Sequence, residues 1–378
     1  MKYFISAGEA SGDLHAAALI GALRAVEPEA RFTFLGGDLM AAAASSEPLI
    51  HYRRMAFMGF SEVLRHLSDI RANLRCALQA LEQERPDCLV LVDYPSFNLK
   101  LARRAKALGI PVCWYISPKV WAWKEYRVRS LRRYVDCMLC ILPFEVEFYR
   151  RHGMEVTYVG NPSLEEVDRK LAALPSHERF CASHLIDVTR PILALVPGSR
   201  VGEIRNNLPI MAAVAARHPD LDPVIAAAPG IDEELYVRYA PGIRCVAGDT
   251  FALMANSVAA LVTSGTATLE CALIGTPQVV CYRANGSRLS YSIMHRLLHV
   301  DYVSLPNLIA DALVIPEMLV HLCTVDSVDA ELSAILPGKP GRAGQIEGYA
   351  RMRRRLGVAS AAATAAQMIA RLAHEHRK

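Results

Sequence analysis

Leu261-Val-Thr-Ser-Gly-Thr-Ala-Thr-Leu-Glu-Cys-Ala-Leu-Ile-Gly-Thr-Pro-Gln-Val-Val-Cys281 decides the fold. Ala259 to Val262 form an apolar, β-prone run. Thr263, Ser264 and Gly265 break it, and Thr266 to Ile274 have helical spacing. Gly275-Thr276-Pro277 closes that helix, and Gln278 to Cys281 begin another strand. A strand, a tight polar turn, a helix and a strand make the unit of a parallel sheet. The turn also has a chemistry. The first N–H groups of a helix have no intrahelical partner, and the dipole favours an anion there. Ser264, Gly265 and Thr266 are therefore candidates to hold a diphosphate, and Glu270 to accept from a ribose diol. As plain caps and a solvated carboxylate the same residues would look alike.

The pattern repeats on both sides of this stretch. Ile192 to Val196 is a buried-strand run followed by Pro197-Gly-Ser-Arg200 and a helix, with Arg200 placed to meet phosphate oxygens in a bidentate way. Tyr3 to Ser6 leads into Ala7-Gly-Glu-Ala-Ser-Gly-Asp-Leu-His15, a glycine-containing turn that lacks the dinucleotide fingerprint. Glu9 and Asp13 fall at that turn. Cys88-Leu-Val-Leu-Val is near-continuously apolar, as a strand buried on both faces should be, and ends in Asp93. A carboxylate at the carboxyl end of a central strand is a candidate catalytic group. Val112 to Ile116 repeats the pattern and ends in a tryptophan-rich loop. Asp301 to Ile309 is a polar-tipped loop.

Strands alternating with helices throughout 378 residues imply two doubly wound, Rossmann-like domains facing across a cleft. The breaker cluster Gly160-Asn161-Pro162 ends the first domain and Gly338-Lys-Pro-Gly341 precedes a basic helical tail, giving 1–163, 164–343, and a tail over 344–378 that crosses back to the first domain. The chain is 52% hydrophobic and 21% charged, which excludes disorder. Its net charge of +4 is uneven: +4 in the first domain, −5 in the second and +5 in the tail. Basic ends suit an anionic surface. Met55 to Leu67 holds more apolar residues than one buried helix stripe needs, and Met55, Phe57, Met58, Val63 and Leu64 are candidates for a membrane or acyl-chain patch. No run of eighteen apolar residues occurs, and no signal peptide is visible. Cys88, Cys113 and Cys281 read as buried thiols. Cys137-Met-Leu-Cys140 lies in a strand that would point its sulfurs to opposite faces, so no metal site is expected.

Several of these pieces are long and unusual. Ser6-Ala-Gly-Glu-Ala-Ser-Gly-Asp13, Met58-Gly-Phe-Ser-Glu-Val63, Tyr115-Ile-Ser-Pro-Lys-Val-Trp-Ala-Trp123, Leu142-Pro-Phe-Glu145, Pro197-Gly-Ser-Arg200, Ser264-Gly-Thr-Ala-Thr-Leu-Glu270 and Asp301-Tyr-Val-Ser-Leu-Pro-Asn307 together resemble the lipid-A-disaccharide synthase family, over essentially the whole chain. Ser96 departs from the family, which often has a second Asp there. The resemblance implies the two-domain "GT-B" architecture and an inverting, metal-independent transfer without a cofactor. UDP-2,3-diacylglucosamine would be the donor and 2,3-diacylglucosamine 1-phosphate the acceptor. It implies peripheral attachment to the cytoplasmic face of the inner membrane, no nucleic acid partner, and a homodimer that exchanges the C-terminal tail. Asp93 or Glu9 would be the base; Arg200, Ser264, Gly265, Thr266 and Glu270 would hold UDP; Asn307 would be a further contact on the nucleotide side. The rival readings are another UDP-sugar enzyme of this architecture, such as a UDP-sugar 2-epimerase, and a non-catalytic lipid- or nucleotide-binding protein.

Overall fold

The computed structural model describes residues 1–55, 67–122, 124–283, 302–357 and 360–377. The chain divides into two compact units, Met1–Pro162 with Val358–Lys378, and Ser163–Gly357. Each unit is built on a parallel sheet flanked by helices.

In the first unit the strands are β1 (Lys2–Ala7), β2 (Arg31–Gly36), β3 (Ile50–His51), β4 (Cys88–Val92), β5 (Val112–Tyr115), β6 (Cys137–Cys140) and β7 (Thr157–Tyr158). They lie in the order β3-β2-β1-β4-β5-β6-β7. All residues of β4 and β5 are buried, because helices cover both faces of a parallel sheet. Period two then divides the side chains. Phe4, Leu89, Leu91, Trp114 and Met138 pack on one face, and Tyr3, Ile5, Val90, Cys113 and Leu139 on the other. Cys140 belongs to the first of these clusters and Cys137 packs against the second, so the two sulfurs do lie on opposite faces.

The second unit holds β8 (Ile192–Val196), β9 (Asp222–Ala227), β10 (Arg244–Ala247), β11 (Ser257–Thr263), β12 (Gln278–Tyr282) and β13 (Glu317–Leu319). Their order is β10-β9-β8-β11-β12-β13. The organising stretch forms as its residues dictate. β11 ends at Thr263, the helix Thr266–Ile274 follows, and Gly275, at φ 99°, closes it in the left-handed conformation that glycine adopts without strain.

The tail corrects the expected boundary. The helix Ala361–Arg377 packs on the first helix, Ala10–Val26, and buries Ala365, Ala366, Ile369 and Ala373 in the first unit's core. The preceding helix, Pro340–Leu356, stays in the second unit, so only the chain from 358 onward belongs to the first. A buried polar lock explains why. The Gln278 N–H donates to Gln345 Oε1, and Gln345 Nε2 returns a bond to the Gln278 carbonyl, both at 2.9 Å. Tyr349 Oη donates to the Thr276 carbonyl at 3.2 Å. A basic outer face hides this inner one from a reading of charge alone. Together the two helices make Pro340–Arg377 long and apolar enough to pass for a membrane span by composition, yet each buries a face within its own unit. Gln345→Ala strands two buried backbone groups. We expect it to lower stability by about 2–4 kcal/mol, read by urea unfolding. A change below about 0.5 kcal/mol would refute the lock.

Candidate functional site

In an open parallel sheet, ligands bind beyond the carboxyl ends of the strands, where the strand order reverses. The first sheet reverses between β1 and β4, whose ends are in register, Ala7 beside Val92. Glu9 lies two residues past β1, and Asp93 directly follows β4. Both sequence-derived base candidates therefore flank one switch point.

The backbone at Asp93 is strained. Asp93 and Tyr94 take φ values of 41° and 49°, two adjacent non-glycine residues in the left-handed region. Such positions cost on the order of 1–3 kcal/mol each and persist where the surroundings over-determine them. Asn98 supplies the constraint. It is fully buried, and its Nδ2 donates to the Asp93 carbonyl at 2.8 Å while its Oδ1 accepts from Ser6 Oγ at 2.7 Å. Tyr94 Oη donates to the Met55 carbonyl at 2.8 Å. The Tyr94 ring lies so close to Gly8 that a Cβ there would come within 2.3 Å of it, which is why this turn needs glycine. Burial, then the charge of Glu9, pushes the Asp93 carboxyl up to about 6, while Lys119 pulls it down. A carboxyl titrating there is largely ionised at neutral pH and still a useful proton acceptor.

Asp13 stands in the first turn of the helix Ala10–Val26, but its carboxylate serves a neighbouring segment. It is buried and accepts from the Gly37 N–H at 2.7 Å and from the Leu39 and Met40 N–H groups at 3.2 Å. It thus caps the neighbouring helix, Asp38–Ala44.

The second sheet reverses between β8 and β11, in register at Val196 and Val262. Their turns carry Arg200 and the Ser264–Thr266 segment, so the candidate phosphate groups again share a switch point. Glu203, in the first turn of the helix Val201–Ala215, organises the Arg200 turn. Its carboxylate accepts from the Ser199 N–H and from Arg200 Nη1, both at 3.1 Å. The Arg200 side chain is largely exposed. Ser264 is half-buried, and Gly265 and Thr266 are exposed at the start of their helix. Glu270 is half-buried. Burial raises its pKa foremost, Lys170 opposes the shift and Glu166 adds to it. The ends of β11 and β12 are tied by Asn207, a fully buried residue. Its Nδ2 donates to Thr263 Oγ1 at 3.0 Å, and its Oδ1 accepts from the Arg283 N–H at 2.7 Å. Nothing in the local sequence marks Asn98 or Asn207, because their partners lie far away along the chain.

Two expectations need correction. Asn307 is fully buried, and its amide is spent inside the unit. Nδ2 donates to the Ile315 carbonyl and Glu317 Oε1, and Oδ1 accepts from the Val314 and Ile315 N–H groups, all between 2.8 and 2.9 Å. It holds the loop before β13 and offers no free polar atom to a nucleotide. Met55 is 1% exposed and packs in the core with Leu35, Leu91 and Phe97, so it drops out of the proposed apolar patch. Phe57, Met58, Val63 and Leu64 lie outside the described residues. Among the described residues no three His, Cys, Asp or Glu side chains converge as a metal site would need.

The chain matches the family model described as "Lipid-A-disaccharide synthetase" over residues 3–368. It is 42% identical over 380 residues to the lipid-A-disaccharide synthase of Myxococcus xanthus, covering 98% of this chain and 97% of that protein. Among solved structures it is similar to the UDP-GlcNAc 2-epimerase of Neisseria meningitidis bound to UDP-GlcNAc, with a TM-score of 0.64 at 12% identity over 99% of this chain and all of that one. It is also similar to the calicheamicin glycosyltransferase, with a TM-score of 0.61 at 16% identity over 99% and 98% of the two chains. The structural likeness establishes the GT-B fold, which epimerases and transferases share. Sequence similarity at near-full length separates them, and on it the chain belongs to the lipid-A-disaccharide synthetase family of glycosyltransferases.

Proposed function

We propose that the protein transfers the diacylated glucosamine of UDP-2,3-diacylglucosamine to 2,3-diacylglucosamine 1-phosphate, releasing UDP and the β-1,6-linked disaccharide 1-phosphate. The observation that carries the mechanism is Asp93, held on a strained turn at a switch point with its carboxyl raised to about 6. Asp93 takes the proton of the acceptor's 6-hydroxyl as that oxygen bonds to the donor's anomeric carbon. The bond from that carbon to the diphosphate oxygen breaks on the opposite face, inverting the centre. UDP leaves with the electron pair. Arg200 and the N–H groups at the start of the helix Thr266–Ile274 stabilise its charge, and Glu270 receives the ribose hydroxyls.

Glu9 is the second candidate for the base; its charge also acts on Asp93. Because both substrates carry acyl chains, the reaction belongs at the cytoplasmic face of the inner membrane, with the protein bound peripherally through basic residues and an apolar patch. A homodimer joined through the exchanged helix Ala361–Arg377 accompanies this reading. Mass spectrometry of products formed from donor and acceptor on anionic vesicles, in the presence of EDTA, tests the assignment. A disaccharide 1-phosphate is expected, with activity undiminished by the chelator. UDP released without disaccharide would favour an epimerase-like reaction. Binding without turnover would favour a non-catalytic protein.

A further inference from the structure

Beside the Asp93 turn lies a buried polar cluster that the reaction as read so far leaves unused. Glu145 stands in the first turn of the helix Pro143–Arg151 and is 1% exposed. Its Oε1 accepts from Ser117 Oγ at 2.5 Å and from Trp121 Nε1 at 3.1 Å, and its Oε2 accepts from the Leu142 N–H at 3.1 Å. The bond to Leu142 is an ordinary helix cap, which a neutral glutamine side chain would serve as well. A carboxylate sealed from water is costly unless several donors converge on it. Here the other two donors come from the loop that follows β5, one from each end of Ser117–Trp121.

That loop is pinned along its length save for one side chain. Ser117, Pro118, Val120 and Trp121 are buried, and the Val120 N–H donates to the Pro118 carbonyl at 2.6 Å. Lys119 alone points outward. β5 pairs with β4 in register, Tyr115 beside Val92, so the loop leaves the sheet next to Asp93. The Lys119 charge acts on the Asp93 carboxyl.

We propose that Glu145 is a positioning residue: it clamps both ends of the 117–121 loop and thereby holds the Lys119 ammonium beside Asp93. The proposal rests on the reading of Asp93 as the base, since that is what gives the clamp its purpose. Burial and Glu9 both favour the protonated, inactive form of Asp93, and Lys119 opposes them. Around Glu145 the titratable neighbours are Cys140 of β6, Tyr149 of the same helix and Tyr158 of β7, all uncharged at neutral pH. Tyr149 also faces Asp93. None of these can substitute for the lysine.

The test is a direct titration of Asp93 by carboxyl carbon NMR, the signal being assigned by its loss in Asp93→Asn. Lys119→Met is expected to raise the Asp93 midpoint by about half a unit or more. Glu145→Gln is expected to raise it similarly, and the double variant no further than Lys119→Met alone. The sign is diagnostic. Burial pushes the Glu145 carboxyl up to about 7, against the donors from Ser117, Leu142 and Trp121, so it is mostly neutral where Asp93 titrates and its removal takes away little charge, whereas loss of the clamp moves the midpoint up. A midpoint that falls or stays put in Glu145→Gln, or shifts that add in the double variant, would overturn the proposal. If Glu145→Gln does not fold, Ser117→Ala and Trp121→Phe each remove one clamp donor and carry the same expectation. Full turnover by Asp93→Asn would reject Asp93 as the base, but it would leave the titration result standing. The two failures are therefore separable.

Discussion

Asp93→Asn is expected to lower kcat by about 10²-fold or more with little loss of UDP affinity, and to raise stability at pH 7 to 8 as it does so. The two effects have one origin. The folded Asp93 carboxyl is raised to about 6, above its value of about 3.9 in an unfolded chain. The native state therefore binds this proton more tightly than the unfolded state. The stability it contributes is present below about pH 4 and is lost as pH rises through about 6. With allowance for partial exposure, the ionised carboxylate costs on the order of 2 kcal/mol at neutral pH. Asparagine removes that charge and tolerates the left-handed conformation at φ 41° better than most residues. The acidic limb of kcat/KM in the parent should fall near pH 6, where the base becomes protonated. Kinetics alongside thermal melting check both halves. A variant that turns over normally, while Glu9→Gln does not, would move the base to Glu9.

The second large effect is expected at the nucleotide. Arg200→Ala should weaken UDP binding by roughly 10- to 100-fold, the range for losing charge-assisted bonds to phosphate. The folded chain should lose little stability, since Arg200 is largely exposed and an exposed ion pair such as that with Glu203 contributes little. Glu270→Ala should weaken UDP and uridine alike, because its partner is the ribose, whereas Arg200→Ala should leave uridine unaffected. Calorimetry with the two ligands separates them. Uridine binding unchanged in Glu270→Ala would end the ribose assignment.

The sheets were legible in the sequence where the strands are long and apolar. β4, β5 and β8 are buried throughout and β11 from Ala259 onward, as their apolar runs announce, and each is followed by a turn whose polar tip lies at a strand's carboxyl end. β3 and β13, with two and three residues, are too short to show any period, so one edge of each sheet escaped notice. The positions of Asp93, Arg200 and Glu270 follow from local spacing. What fixes them does not, because a buried amide gains its meaning only from distant partners. Asn98 reads as an ordinary helix residue until Ser6 is beside it. Asn307 illustrates the reverse error, a polar residue in a polar-tipped loop whose partners, Val314 and Ile315, turn it inward. Gln345 and Tyr349 likewise hold the second unit's last helix in place, against a boundary drawn at a glycine-proline breaker.

The return of the helix Ala361–Arg377 to the first unit bears on the order in which the protein comes into being. A ribosome delivers Met1–Pro162 first, but the surface of the helix Ala10–Val26 remains bare until all of Ser163–Gly357 has been made. The first unit is then synthesised early and completed late, while the unit that follows can close its own core first. Contacts of such long sequence separation form slowly, and the uncovered alanine-lined groove is an apolar surface that a waiting nascent chain exposes. A chain that stopped before this helix would leave Ala16, Leu19, Ile20 and Leu23 without the cover that Ala365, Ala366, Ile369 and Ala373 provide.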